Sequence, residues 1–209
     1  MAAKPALVLS ILSLLLELPS DLFLLAWAGA HYLCYTIIVS PKHLSLEKWC
    51  TVEGTVDGMT VVRSDCSGAK ARATDVLGRK VNGTKTWEQQ SEILKDLANS
   101  FREVLLDPEH GNWISSDSVE LKAKMTCQQN TGGKFTASWH LCINGGTCLC
   151  LDSNLKECAN VPPQFHLMKE KLTDDEELYH LYRTSKAECK SWMKDFMEEW
   201  KENVDTTGN

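Results

Sequence analysis

The sequence lacks an excess of basic residues: 22 Lys and Arg stand against 28 Asp and Glu, which gives a formal charge of −6. Nucleic-acid binding depends on clustered Lys and Arg, so this balance argues against nucleic acid as a main partner. The sequence also contains no GxxxxGK(S/T), GxGxxG or HExxH motif, and so no signature of nucleotide binding or zinc-dependent hydrolysis. With 209 residues, the chain is long enough for one domain with a substantial core.

Long apolar runs are scarce, and the one that is present lies near the N-terminus. Lys4 precedes the apolar stretch Ala6–Leu16, and Ala28-Gly29-Ala30 supplies a small-residue cleavage motif. This order predicts a secretory signal peptide over residues 1–30. A signal anchor that stays in the membrane is the alternative, although Glu17 interrupts the apolar stretch.

After Ala30 the sequence has neither a second apolar span nor an apolar tail of the lipid-anchor type. We therefore expect a secreted, extracellular product with a short polar tail at residues 204–209, or a protein on the external face of the plasma membrane if a longer anchored isoform exists. All nine Cys follow Ala30, in a compartment where disulfides persist. Asn82-Gly83-Thr84 is a glycosylation sequon, with Asn82 as the predicted acceptor.

A long amphipathic helix is predicted over Ser185–Trp200, because Ser185 and Glu188 have the spacing of a capping box. The apolar side of this helix consists of Cys189, Trp192, Met193, Phe196 and Trp200. A Cys on this buried side indicates a disulfide partner in the layer beneath, and we predict that the partner is Cys127.

Strand patterns occur in two clusters, and helical sequence follows each cluster. The predicted strands are Tyr32–Ser40, Glu47–Thr55, Met59–Ser64, Ser118–Cys127, Lys134–Ile143 and Thr147–Asp152, with a weaker one near Lys156–Asn160. Thr86-x-x-Gln89 predicts the start of the first long helix, and Asp107-Pro108 predicts its end. Residues 69–81 carry no clear pattern.

Two similar halves, each with strands and then a helix, predict an α+β fold. If the strands join edge to edge with both helices across one face, the apolar surfaces of both halves are buried. The result is an antiparallel sheet topped by two long helices. Cys50 and Cys66 flank the turn Val56-Asp57-Gly58, so a disulfide between them would fasten this hairpin.

The order of elements and several sequence segments resemble class I histocompatibility proteins. The closest similarity is to the retinoic acid early transcript family, whose members bind a cytomegalovirus glycoprotein. The segments that carry it include LCYTIIVSPK (Leu33–Lys42), LGRKVNGTKTWEQQSEILKDL (Leu77–Leu97), Trp49-Cys50, Asp65-Cys66 and the run from Cys189-Lys190-Ser191-Trp192 to Trp200. The resemblance covers residue 31 to about residue 200.

The resemblance implies a class I alpha 1/alpha 2 platform over residues 31–203, without an immunoglobulin domain. It also implies that the protein is a ligand of the natural killer group 2 member D receptor homodimer and modulates the cytotoxicity of natural killer and T cells. Such a ligand is expected to bind neither beta-2 microglobulin nor peptide. Receptor contacts are expected on the outward sides of the two helical regions, at Arg79, Lys80, Glu88, Lys169, Asp174, Asp175, Tyr179 and Arg183. The acidic run that contains Asp174 and Asp175 has an alternative interpretation as the solvated start of a helix.

Four Cys depart from the family pattern, namely Cys142, Cys148, Cys150 and Cys158. Extra disulfides, such as Cys158 with Cys148 or Cys150, are one interpretation, and buried free thiols are a second. A zinc site is a third, but in a hairpin Cys142 is expected to point away from Cys148 and Cys150. Nine is an odd number, and Cys34 is the candidate for a buried free thiol.

Two other functions remain open from the sequence. A class I-like carrier would hold a lipid or another small molecule between its helices and would need an open apolar groove. An enzyme would use the Cys148-x-Cys150 pair in thiol exchange, but a strand offers no thiolate-stabilising helix N-terminus. His140, His166 and His180 lie without a Cys or carboxylate at catalytic spacing. We therefore predict no enzyme, no catalytic residue, no metal site and no cofactor.

Overall fold

Seven strands and three helices make up the described part of the protein. The computed structural model describes residues 30–40, 49–66, 71–106, 119–146, 148–152 and 187–199. The strands are β1 (His31–Val39), β2 (Cys50–Val56), β3 (Met59–Ser64), β4 (Arg72–Ala73), β5 (Leu121–Gln129), β6 (Phe135–Ile143) and β7 (Cys148–Asp152). The helices are α1 (Val76–Val81), α2 (Lys85–Leu106) and α3 (residues 187–199).

The strands form one antiparallel sheet in the order β4-β3-β2-β1-β5-β6-β7. The two halves of the chain meet at the β1–β5 pair, whose register runs from His31 opposite Gln129 to Val39 opposite Leu121. This edge-to-edge junction between the halves is the one predicted from the sequence. The antiparallel sheet is confirmed, while most of the second helical region falls within residues 153–186, which lie outside the described residues.

The sheet has one buried face and one partly exposed face. In β1 the residues Leu33, Tyr35, Ile37 and Val39 are fully buried, and the residues between them are half-buried or exposed. We call the buried face the helix face, because Cys127 of β5 lies on it and is bonded to α3. The opposite face is called the outer face.

Helix α2 buries one side along its whole length, as the spacing of its apolar residues predicted. Its buried side chains include Trp87, Leu94, Leu97, Phe101 and Leu105. The predicted start needs a correction, because the side chain that caps the helix belongs to Thr84. Its Oγ1 accepts a hydrogen bond from Trp87 N at 3.1 Å, so the cap lies two residues before the predicted Thr86.

Two short elements lie within residues 69–81, where no clear pattern was found. Strand β4 pairs with β3, and helix α1 follows after Asp75, whose carboxylate accepts a hydrogen bond from Val76 N at 2.6 Å. Helix α1 lies very close to β3, because a Cβ on Gly78 would come within 2.2 Å of Val61 O. Only glycine fits at this contact, since the clash would be with backbone.

The structure contains the two disulfides predicted from the sequence. Cys50 is bonded to Cys66, with Cα atoms 5.6 Å apart, and Cys127 is bonded to Cys189, with Cα atoms 6.1 Å apart. Cys34 is a free thiol, but it is half-buried and not buried as expected. Its Sγ lies 3.9 Å from Thr126 Oγ1 on the outer face.

A third disulfide corrects the prediction for the extra cysteines. Cys142 and Cys148 are opposite each other in the β6–β7 register and are bonded, so Cys142 does not point away from Cys148. Cys148 is therefore excluded as a partner of Cys158. Cys150 is also disulfide-bonded, and its predicted pairing with Cys158 remains a prediction because Cys158 lies outside the described residues.

Several other predictions fall outside the described residues. They are the signal peptide apart from residue 30, the weak strand near Lys156–Asn160, the helical restarts at Thr173 and Ser185, and the tail at 204–209. Within the described part of the chain, no helix combines the length and hydrophobicity that a membrane crossing requires.

Candidate receptor-binding surface

The outward sides of α1 and α2 carry exposed polar and charged residues. Arg79 and Lys80 occupy the last turn of α1 and are exposed, as is Glu88 in the first turn of α2. Their neighbours Leu77, Val81 and Trp87 are buried, which fixes the helices to the sheet and turns the charged side chains to solvent. Three of the predicted contact residues are therefore exposed to solvent.

The turn between α1 and α2 carries the glycosylation sequon. Asn82 is exposed, and its backbone N–H donates to Gly78 O at 3.0 Å. Gly83 has a φ of +84°, and a Cβ placed there would meet no atom within 4 Å. The sequon therefore projects from the protein between Lys80 and α2, with space for a glycan.

The other five predicted contact residues belong to the second helical region. Lys169, Asp174, Asp175, Tyr179 and Arg183 lie outside the described residues. Their contact with the receptor therefore stays a prediction from the resemblance. The described part of that region is α3, whose exposed side carries Lys190, Lys194 and Glu198.

Beneath this surface, side chains of the protein fill the space between α2, α3 and the sheet. Tyr35 of β1 donates a hydrogen bond through its hydroxyl to Gln90 Oε1 of α2. The ring of Trp192 from α3 meets the ring of Tyr35 edge to face, with centroids 5.5 Å apart. Tyr35 and Trp192 are both fully buried, and Gln90 is 4% exposed.

The Tyr35–Gln90 hydrogen bond was not predicted from the sequence. Gln90 follows Trp87 by three residues and precedes Leu94 by four, so its helical spacing placed it on the buried side of α2. A buried amide needs a hydrogen-bond partner, so a Gln on the buried side of α2 indicates a polar group on the layer beneath it. Gly54 of β2 makes room for the Tyr35 ring, because a Cβ on Gly54 would come within 2.7 Å of Tyr35 Cε1.

Burial raises the pKa of the Tyr35 hydroxyl far above its usual range, because the phenolate would lose its hydration. The folded protein therefore keeps the proton, while the unfolded chain releases it above pH of about 10. The protonated Tyr35 hydroxyl therefore contributes fully to the free energy of unfolding below pH of about 10. This contribution is lost progressively as the pH rises above that value.

We expect Tyr35→Phe to flatten the fall of the free energy of unfolding above pH of about 10. At neutral pH the variant should be less stable by about 1–2 kcal/mol, because the buried Gln90 Oε1 loses its donor. Urea titrations at a series of pH values measure both effects. Tyr32→Phe is the matched control, since Tyr32 is 41% exposed. Equal pH profiles for the two variants would contradict the role of Tyr35.

The arrangement of these elements agrees with a comparison to known proteins. A sequence model of the family described as class I histocompatibility antigen, domains alpha 1 and 2, matches residues 29–204. This match spans most of the 209 residues. The chain belongs to the class I histocompatibility family.

Three human relatives specify the similarity within this family. UL16-binding protein 1 of Homo sapiens is 35% identical over 207 residues, covering 99% of this chain and 84% of that protein. UL-16 binding protein 5 of Homo sapiens is 34% identical over 202 residues, covering 94% and 58%. Retinoic acid early transcript 1E of Homo sapiens is 24% identical over 173 residues, covering 82% and 65%. These matches confirm the resemblance found in the sequence.

The described outer face of this class I platform carries several polar and charged side chains. A shallow depression of about 610 Å³ on this face is lined by residues that include Thr36, Thr51, Thr55 and Lys122. Glu53 accepts a hydrogen bond from Thr60 Oγ1 at 2.8 Å and lies 3.6 Å from the guanidinium of Arg63.

The described residues of the platform contain no group of three or more His, Cys, Asp or Glu side chains that could hold a metal ion. The zinc interpretation of the extra cysteines also lacks its ligands. Cys142 and Cys148 are oxidised to a disulfide, and Cys150 is disulfide-bonded as well, so these sulfurs are not thiolates.

Proposed function

We propose that this class I platform is an extracellular ligand of the natural killer group 2 member D receptor and modulates the cytotoxicity of natural killer and T cells. The observation that carries the proposal is the similarity to UL16-binding protein 1 along 99% of the chain. The sequence resemblance to the retinoic acid early transcript family implies this receptor.

The proposed mechanism is recognition of a rigid surface by the receptor homodimer. Its two copies would straddle the outward sides of α2 and of the second helical region, so that the two long helices of the platform form the contact. Arg79, Lys80 and Glu88 are exposed and carry charges of both signs, which supports orientation of the receptor by complementary charges. A few anchors would supply most of the affinity.

Binding without peptide is supported by the filled space under the helices. The largest fully buried side chains include Tyr35, Met125, Leu141, Leu149 and Trp192, all of which come from the sheet or from α3. A peptide groove would leave such side chains accessible from above.

Binding without beta-2 microglobulin is supported by the outer face. A permanent partner of a sheet normally covers a hydrophobic surface. The described outer face instead presents Thr36, Thr51, Thr126, Lys122 and Lys124, which are half-buried or exposed. This face can remain in contact with water.

The alternative function, a carrier of a lipid or another small molecule, requires an open apolar groove. The fully buried residues on the helix face count against it. Native mass spectrometry of the purified protein separates the two functions. A mass that exceeds the polypeptide and its glycan would favour the carrier, and the mass of polypeptide and glycan alone would favour the receptor ligand.

The enzyme that would use Cys148-x-Cys150 in thiol exchange has no support in the structure. Cys148 is bonded to Cys142, so the two cysteines of this motif do not form a redox pair with each other.

Surface plasmon resonance between the purified mature chain and the receptor ectodomain tests the proposed function directly. We expect saturable binding. The absence of binding at micromolar concentration would reject the proposal.

Reversing two charges on the surface should weaken this binding. We expect Arg79→Glu combined with Lys80→Glu to raise the dissociation constant about tenfold or more, because attraction to the receptor becomes repulsion. The matched control is Lys122→Glu combined with Lys124→Glu, since both lysines are exposed on the outer face. Equal affinities for the two double variants would contradict the assignment of the surface.

The sequon makes a separate prediction about glycosylation. Asn82→Gln should remove one N-glycan and leave the fold unchanged, since Asn82 is exposed. Thr84→Ala should remove the glycan and also destabilise the protein by about 1 kcal/mol, because Thr84 Oγ1 caps α2. Thr84→Ser keeps the hydroxyl and should keep both properties. Glycosidase digestion with gel analysis, combined with thermal unfolding, measures these outcomes, and a parent protein without a glycan would contradict the site.

A further inference from the structure

The Cys142–Cys148 disulfide differs from the other described disulfides in its position. Cys142 is opposite Lys122 of β5 and opposite Cys148 of β7 in the sheet register. Lys122 lies between the fully buried Leu121 and Ala123 and is itself exposed. The disulfide therefore lies on the outer face, on the side of the sheet away from the helices.

Access to solvent separates this disulfide from Cys50–Cys66 and Cys127–Cys189. Cys148 is exposed and Cys142 is half-buried. By contrast, Cys50 and Cys66 are 2% and 8% exposed, and Cys127 and Cys189 are 0% and 2% exposed. A thiolate must reach a sulfur atom to attack a disulfide, so access governs which bond is reduced first.

The β6–β7 hairpin has other interactions that hold it together. Trp139 is opposite Leu151, and Leu141 is opposite Leu149, and all four side chains are buried on the helix face. The turn contributes as well, because Asn144 has a φ of +50° in an Asn-Gly sequence that favours a hairpin. Reduction of the disulfide can therefore leave the sheet intact.

Lys122 adds a chemical reason for reduction at this bond. It is the direct cross-strand neighbour of Cys142 on the outer face, where facing Cβ atoms are about 5 Å apart. When a thiolate attacks the exposed Cys148 Sγ, the electron pair of the S–S bond leaves on Cys142 Sγ. A nearby ammonium group stabilises that negative charge and so favours Cys142 as the leaving thiolate.

We propose that the Cys142–Cys148 disulfide is a site of thiol–disulfide exchange with extracellular dithiols. One thiolate of the dithiol attacks Cys148 Sγ, forms a mixed disulfide and releases the Cys142 thiolate, which takes a proton from water. The second thiol of the reagent loses its proton and attacks the reagent sulfur that is bonded to Cys148. This closes a disulfide within the reagent and releases Cys148 as a thiolate, which takes up a proton. Two electrons pass from the dithiol, which becomes a disulfide, to the protein, which gains two thiols.

The consequence is a redox-sensitive site on the face opposite to the proposed receptor surface. The disulfides Cys50–Cys66 and Cys127–Cys189 and helix α2 remain in place when the Cys142–Cys148 bond opens. The inference does not depend on the proposed function, because it concerns the chemistry of the outer face alone.

Graded reduction of the folded protein with dithiothreitol tests the proposal. New thiols are trapped by alkylation and located by peptide mapping, while circular dichroism records the fold. We expect Cys142 and Cys148 to be labelled at least about tenfold faster than Cys50, Cys66, Cys127 and Cys189. Equal or faster labelling of a buried pair, earlier labelling of Cys150, or unfolding before labelling would each overturn the proposal.

A pair of lysine variants tests whether Lys122 favours the release of Cys142 as a thiolate. We expect Lys122→Met to slow the reduction of Cys142–Cys148 about threefold or more, since the cation beside Cys142 is removed. Lys124→Met is the matched control, because Lys124 carries the same charge on the same face but is opposite His140. Equal rates for the two variants would overturn the assignment of Cys142 as the leaving thiolate.

Discussion

Replacing Cys127 and Cys189 together by alanine is expected to lower the free energy of unfolding by about 2–5 kcal/mol and to abolish receptor binding. The disulfide joins residues 62 positions apart, and the chain-entropy treatment assigns about 4 kcal/mol to a loop of this length. Both sulfurs are almost completely buried, so the bond fixes α3 to β5 from inside the core. Without it, α3 can separate from the sheet, and the second half of the proposed receptor surface is lost.

Chemical denaturation and surface plasmon resonance on the same preparation measure these two losses. The double variant is used because a single change would leave one buried thiol behind. The control is Cys142→Ala combined with Cys148→Ala, which opens a loop with a separation of only 6. The chain-entropy calculation predicts that this control loses about 2 kcal/mol of the free energy of unfolding, and we expect it still to bind the receptor. A Cys127 and Cys189 variant as stable as its parent would contradict the structural role of this bond.

Truncation of Trp192 to alanine is expected to destabilise the protein by about 3–5 kcal/mol, the usual range for a large aromatic residue in a core. Trp192 is fully buried, and its ring packs edge to face on Tyr35. The change would leave a cavity between α3 and β1, at the point where the space under the helices is filled. Urea denaturation followed by far-ultraviolet circular dichroism measures the loss without relying on tryptophan fluorescence.

Two variants of the same helix serve as controls for this prediction. Trp192→Phe keeps an aromatic ring beside Tyr35 and should lose less than half as much stability as the alanine variant. Lys194→Ala removes an exposed ion pair with Glu198 at 3.4 Å and should change the free energy of unfolding by only about 0.3–0.5 kcal/mol. A loss below about 1 kcal/mol for Trp192→Ala would mean that α3 does not pack on β1 as described.

The long elements were predictable because each buries one regular side. The buried residues of α2 and of α3 recur at the helical spacing seen in the sequence, and β3 has the predicted bounds Met59–Ser64. The short elements were not predictable, because they contain too few residues to show such a regular side. Strand β4 has two residues and α1 has six, so neither is long enough to show a period.

The predicted orientation of Cys142 was wrong. The predicted strands Lys134–Ile143 and Thr147–Asp152 leave a three-residue connection, Asn144-Gly145-Gly146, and a connection of this length already places Cys142 opposite Cys148. The observed register, with Cys142 opposite Cys148 and Leu141 opposite Leu149, has this alignment. A shift of one residue would move every side chain of a strand to the other face, so the orientation of a cysteine depends on the exact length of the turn.

The candidate surface was predictable in part. The exposed positions of Arg79, Lys80 and Glu88 follow from the buried residues next to them in α1 and α2. The polar core contact between Tyr35 and Gln90 depended on which strand lies under α2, and this is a property of the sheet order. A sequence pattern fixes which side of an element is buried, but not what that side meets.

The filled space under the helices has a consequence for how long the folded protein persists. A protein that depends on a bound molecule gains stability only while that molecule is present, and the gain follows the ratio of free ligand to dissociation constant. Here Tyr35 and Trp192 occupy this space as part of the chain itself. We therefore expect the melting temperature to be the same at every concentration of added peptide. The proposed receptor surface would then be complete as soon as the chain folds, and its lifetime would be set by the unfolding rate of the protein and not by the departure of a cargo.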